Sequence, residues 1–134
     1  EPHHPDLFWY GVHAVEGLYS VMGTGCESVT RVDTDDAMVV VGKWKDGRIG
    51  TFRGFKKGGK EYGVTVFGEK GERSSLSAKG KNGYANLLVE IVKFFQTGTP
   101  PVTPEECVEV LAFMQAADLS KQKGGAPARL DELK

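Results

Sequence analysis

Asp46-Gly47 sits between two apolar runs, Ala37 to Lys45 and Arg48 to Phe55, and no other pair of residues constrains the chain as strongly. Asp-Gly in that setting signals a β-hairpin, because a type I′ turn requires positive φ at both central residues. Pairing across a two-residue loop sets Trp44 opposite Ile49 and Val41 opposite Phe52. Side chains alternate along a strand, so Met38, Val40, Trp44 and Ile49 share one face and Val39, Val41 and Phe52 the other. A sheet with one wet face would alternate more cleanly than this. Helices are therefore expected on one face and a second subunit on the other. Two candidates remain for the outward face: Met38, Val40 and Ile49, or Val39, Val41 and Phe52.

The other elements follow from spacing and punctuation. Val12, Val15, Leu18, Tyr19 and Met22 recur at helical intervals, and Gly23 and Gly25 stop that helix, expected over about Gly11 to Met22. Glu27 to Asp33 reads as a strand. Beyond the hairpin, Glu61 to Gly68 reads as a fourth strand with Tyr62, Val64 and Val66 alternating, and Arg73 to Ala78 as a fifth. Tyr84 to Thr97 carries a helical stripe of Tyr84, Leu87, Leu88, Ile91, Phe94 and Phe95, closed by Gly98 and blocked from continuing by Pro100-Pro101. Thr103-Pro104-Glu105-Glu106 is a capping box with Pro at the first helical position, and Val102 and Cys107 suit its hydrophobic staple. The third helix should run to about Lys121, with Cys107, Val110, Leu111, Met114 and Ala117 inward. The polar tail from Gly124 is expected to fray. Helix, strands, then two helices, without βαβ alternation, argue an α+β domain over residues 1–134: an open, mainly antiparallel sheet with helices packed on one face.

The length suits one domain, and a hydrophobic fraction of 40% is enough for a core. The formal net charge is -1, which calls for neither nucleic acid nor a membrane surface as partner. No run approaches the roughly 20 apolar residues that span a bilayer. No signal peptide is visible and the chain opens on Glu1, which reads as a fragment or processed product; a cytoplasmic location is the expectation. Two cysteines, Cys26 and Cys107, make no disulfide framework and are expected reduced and packed. His3, His4, Asp6 and His13 invite a metal reading, but their spacing fits no helical pair of ligands in a leader that Pro2 and Pro5 keep extended, and no metal is expected. Lys43, Lys45, Arg48, Arg53, Lys56, Lys57 and Lys60, interleaved with Trp44, Phe52 and Phe55, suggest single-stranded nucleic acid. Trp44 and Phe52 on opposite faces and the acidic balance of the chain weigh against that. Gly54 to Lys60 lacks phosphate-loop spacing, and no Gly-x-Gly-x-x-Gly follows a strand.

The chemistry concentrates in Leu7 to Gly23. His13, Glu16 and Ser20 lie three and four residues apart, neighbours on the polar face of the first helix. The dipole at a helix start favours a neutral imidazole, which can act as general base towards a substrate hydroxyl. Glu16 can orient the ring. Trp9 and Tyr10 can wall a substrate, or serve the core. A histidine at a helix start is also a common surface or capping residue.

Tyr10-Gly11-Val12-His13-Ala14-Val15-Glu16-Gly17-Leu18-Tyr19-Ser20-Val21-Met22-Gly23 resembles the start of the long helix in the C-terminal domain of the Gfo/Idh/MocA oxidoreductases, the glucose-fructose oxidoreductase and inositol dehydrogenase family. Gly42 to Gly50, Thr65 to Gly71 and Leu88 to Phe95 are similar as well, so the likeness covers most of the chain. It implies an open sheet backed by helices, His13 as a catalytic residue, and a sugar or polyol-like small molecule as substrate. It also implies a homo-oligomer formed through the sheet. Trp9 stands where the family commonly carries Asp, so His13 alone carries over from the usual Asp–His pair. The family's Rossmann domain, which binds NAD or NADP and supplies a lysine, has no counterpart here, so no cofactor site is expected in this chain. The expectation is a substrate-binding and oligomerisation half that does not turn over alone. The alternative is a stand-alone, non-catalytic binding or dimerisation module.

Overall fold

A computed structural model of the chain describes residues 6–58, 62–75 and 83–133. Its contacts divide it into two compact units, one of residues 1–60 and 105–134 and one of residues 61–104.

The first unit opens with a 3-10 turn, Asp6–Phe8, and helix α1, Gly11–Met22. Strands β1 (Cys26–Asp33), β2 (Ala37–Trp44) and β3 (Ile49–Phe55) follow as an antiparallel meander. The second unit holds a hairpin of β4 (Val64–Gly68) and β5 (Gly71–Ser75), then α2 (Ala85–Thr97), which Gly98 ends in the left-handed conformation that glycine adopts without strain. Tyr62 precedes β4 instead of alternating within it, and the stretch expected to continue the fifth strand lies at 76–78, outside the described residues. Back in the first unit, α3 spans Pro104–Gln122, and β6 (Ala128–Arg129) and a 3-10 turn, Leu130–Glu132, complete it. The four-stranded sheet runs β3-β2-β1-β6 and is open and antiparallel, so the fold is α+β as expected.

The hairpin differs from the expected one by a single residue. Gly47 N–H donates to Trp44 O and Trp44 N–H to Arg48 O, so Lys45, Asp46 and Gly47 form a three-residue loop. Gly47 takes φ +88°, and the Asp46 carboxylate accepts from the Arg48 backbone at 3.1 Å. Lys43 therefore faces Ile49 and Val40 faces Phe52, not Trp44 and Val41 as a two-residue loop would have it. One step of register exchanges faces. Phe52 joins Met38, Val40 and Trp44 inside, and Ile49 joins Val39 and Val41 outside. The alternation is clean after all.

Helices α1 and α3 bury their stripes on the inner face. Val15 and Tyr19 of α1 meet Phe113 and Met114 of α3 in one core with Trp44. Gly42 and Gly50, paired across β2 and β3, leave the slot that the Trp44, Phe113 and Leu18 side chains fill. The stripe of α3 is Val110, Phe113, Met114, Ala116, Ala117 and Ser120. Cys107 and Leu111, expected inward, are exposed, because the helix turns Phe113 and the small residues Ala116 and Ser120 to the sheet. The tail does not fray. Gly124 and Gly125, with φ +68° and +91°, turn the chain back so that Ala128 pairs with Val29 and is fully buried.

Candidate functional site

The first turn of α1 gathers the four residues singled out from sequence. Tyr10, with φ -88° and ψ -12°, leads into the helix without a side-chain cap, and His13 N–H reaches back to Tyr10 O at 3.3 Å. The Tyr10 and His13 rings lie 5.9 Å apart, tilted by 53°, and Trp9 packs edge-on to Tyr10 at 6.0 Å. Tyr10 thus stands between Trp9 and His13. One turn on, Glu16 Oε2 lies 3.5 Å from His13 Nδ1, and both side chains are 59% exposed. Trp9 and Tyr10 are 50% and 62% exposed, so neither serves the core.

The arrangement has an imidazole, a carboxylate 3.5 Å from its Nδ1, and an aromatic ring beside it. His3 and His4 lie outside the described residues. Among the described residues no group of three or more His, Cys, Asp or Glu side chains comes together as metal ligands. Nor, among them, does any strand pass through a glycine turn into a helix that would take a dinucleotide pyrophosphate.

Two buried polar clusters escaped sequence reasoning. Arg31, fully buried on the inner face of β1, bonds Asp33 and, across to α3, Asp118, both at 2.6 Å, and Lys56 also reaches Asp33. Burial works to raise the Asp33 carboxyl, but the hydrogen bonds from Lys56 and Arg31 outweigh it and hold the group at about 2. Glu109 of α3 accepts the backbone N–H groups of Gly25 and Cys26 and the Tyr19 hydroxyl. Burial, then the Glu109 charge, pushes the Cys26 thiol up to about 12, and burial, with Cys26 and Glu109 beside it, raises the Tyr19 phenol. Neither thiolate nor phenolate chemistry fits such groups. The available signal was polar: Glu109 and Ser120 fall on the same helical stripe as Phe113 and Ala116.

Three of the seven basic residues around the hairpin form ion pairs among the described residues: Arg48 with Asp46, Lys56 with Asp33 and Lys57 with Asp36. Trp44 and Phe52 lie on the same face, not opposite ones, and both are in the core, so neither can stack a base. A cleft of about 460 Å³ opens between α3 and the last 3-10 turn, lined by Gln115, Asp118, Leu119, Gln122, Glu132 and Leu133. No residue of the His13 group lines it, and its carboxylates are engaged by Arg31 and Lys123. Among the described residues no helix is long and apolar enough to cross a membrane. Comparison with protein-family models, curated proteins and solved structures finds no match to the chain.

Proposed function

We propose that this chain is the substrate-handling half of a cytoplasmic NAD(P)-dependent oxidoreductase acting on a hydroxyl of a sugar or polyol, with His13 as its base. The observation that carries the reading is the His13–Glu16 pair at an exposed helix start, flanked by Tyr10 and Trp9. The likeness of Tyr10 to Gly23 to the Gfo/Idh/MocA helix supports it. The cofactor's share of the chemistry belongs to another domain; what falls to this chain is the substrate and its hydroxyl proton.

Glu16, next to Nδ1, favours the tautomer with the proton on Nδ1 and leaves the Nε2 lone pair free to accept from a hydroxyl. Tyr10 and Trp9 offer apolar ring faces to the C–H surface of a sugar. The test is His13→Ala in the full-length polypeptide. Turnover is expected to fall by about 10²–10⁴-fold, the usual worth of a positioned acid–base group. Stability should move by no more than about 0.5 kcal/mol, as for other exposed positions. Near-normal turnover in a folded variant ends the claim.

A second reading, a non-catalytic dimerisation module, is favoured by the outer sheet face. Val32, Ile49 and Phe55 are well exposed there beside Val39 and Val41, apolar side chains interleaved with Thr30, Thr51 and Arg53, on which a second copy could pair. Both readings share that pairing and part on turnover.

A further inference from the structure

We infer that Leu7 and Gly11 are a positioning pair for the His13 site, dovetailed so that Tyr10 is held beside the imidazole; the consequence for chemistry rests on the reading of His13 above. Leu7 is 1% exposed, whereas Phe8, Trp9 and Tyr10, which follow it, are all exposed. Of these four side chains it is the buried one. Its socket is the bare Cα of Gly11. A Cβ built there would meet Leu7 Cδ1 at 2.5 Å, closer than real Cβ atoms come, and Cγ at a tight 3.3 Å. Gly11, the first residue of α1, has no left-handed φ to explain it. Its use here is space. With Leu7 fixed in the core and Gly11 in the first turn of α1, only Phe8, Trp9 and Tyr10 lie between two fixed points. That short span carries Tyr10, whose ring lies 5.9 Å from that of His13.

In Gly11→Ala the Leu7 side chain has to shift to clear the new Cβ, and Tyr10 is expected to move with it, while Leu7→Val removes the colliding Cδ1 and keeps an apolar anchor. The probe is the nuclear magnetic resonance spectrum of the chain itself. The His13 ring protons report the Tyr10 ring current. The indole N–H of Trp44, which donates to Gly23 O at the far end of α1 at 2.9 Å, reports the fold. In Gly11→Ala the His13 signals should move towards those of a free histidine with the Trp44 signal unchanged. In the Gly11→Ala, Leu7→Val double variant they should return. Unmoved His13 signals in Gly11→Ala, or no return in the double variant, overturn the inference. If Gly11→Ala does not fold, Leu7→Ala with Gly11 retained takes its place: it empties the socket, and unshifted His13 signals there overturn the inference equally. The spectra do not depend on turnover, so loss of the catalytic reading through His13→Ala leaves this result standing, and the reverse holds too.

Discussion

The Glu109 carboxylate takes the backbone N–H of Cys26 at 2.8 Å, and so ties the third helix to the first residue of the first strand. The same carboxylate accepts from Gly25 N–H at 2.7 Å and from the Tyr19 hydroxyl at 3.2 Å. One side chain thereby satisfies the loop that joins α1 to the sheet and the phenol that α1 buries beneath it.

Glu109→Ala leaves two backbone donors without their acceptor and the Tyr19 phenol with only its longer bond to the Glu109 carbonyl, 3.4 Å. Unsatisfied groups cost about 1–3 kcal/mol each when buried, and partial access to water here brings the total expected loss to about 3 kcal/mol. Glu109→Gln keeps one acceptor oxygen and should recover about half. Urea unfolding midpoints of the two variants check this; equal losses would show that the charge, not the geometry, matters.

Arg31 is a buried cation between Asp33 and Asp118. Removing one partner of such a group is strongly destabilising, by about 3–5 kcal/mol, because a charge is left buried and uncompensated. Asp118→Ala should approach the lower end of that range, since its side chain is 31% exposed and water can replace it in part. Replacing the whole cluster with apolar residues should cost less than this single change. Thermal unfolding of both variants decides it.

Asp33 gives the cluster an acid limit. Its carboxyl is held at about 2 against an ordinary 3.8, so the folded state prefers the ionised form. That preference stabilises fully above about pH 4 and is lost as pH falls from 3.8 towards 2, a contribution of about 2 kcal/mol. Asp33→Asn should flatten the stability profile across that window. A wild-type profile that is already flat there would show the pairs to be weak.

The sequence made the elements legible and their partners less so. Helix α1 falls where its apolar spacing and Gly23 put it, because stripe and stop agree. Asp46-Gly47 marked the hairpin correctly but did not fix its register: two-residue and three-residue loops both use Asp-Gly, and the backbone bonds of Trp44 to Gly47 and Arg48 make it the three-residue one. That one step reassigned Phe52 and Ile49. In α3 two overlapping stripes were available, and Phe113 prevailed over Leu111 because the Gly42–Gly50 slot accepts a ring. Ala128 gave no signal, since a two-residue strand has no periodicity. The His13 group was legible because its members are adjacent in sequence; the Glu109 and Arg31 clusters were not, because the Cys26 bond to Glu109 and the Arg31 bond to Asp118 each span more than eighty residues.

Gly42 tests the slot directly. A Cβ there would lie 2.7 Å from the Phe113 ring and 2.8 Å from that of Trp44, both in the core. Gly42→Ala should cost about 1–3 kcal/mol by overpacking, and Phe113→Leu in the same chain should return part of it. Additive losses in the double variant would show that Phe113 is not what fills the space.

The last prediction separates the two faces of the sheet. Ile49 is 67% exposed and pairs with Lys43 on the outer face, whereas Phe52, three residues on, is 8% exposed and pairs with Val40 in the core. If copies of the chain pair through the outer face, the contact must bury at least about 1,000 Å² to be specific. Ile49→Asp would place a desolvated carboxylate in it and should convert the assembly to monomers with the melting temperature of the dissociated protein nearly unchanged. Phe52→Asp should instead unfold the chain, because the charge enters the core between Met38 and the helices. Sedimentation at tens of micromolar, with circular dichroism on the same samples, reads both effects. A wild-type chain that sediments as a monomer removes the self-association proposal. An assembly that survives Ile49→Asp moves the contact off this face.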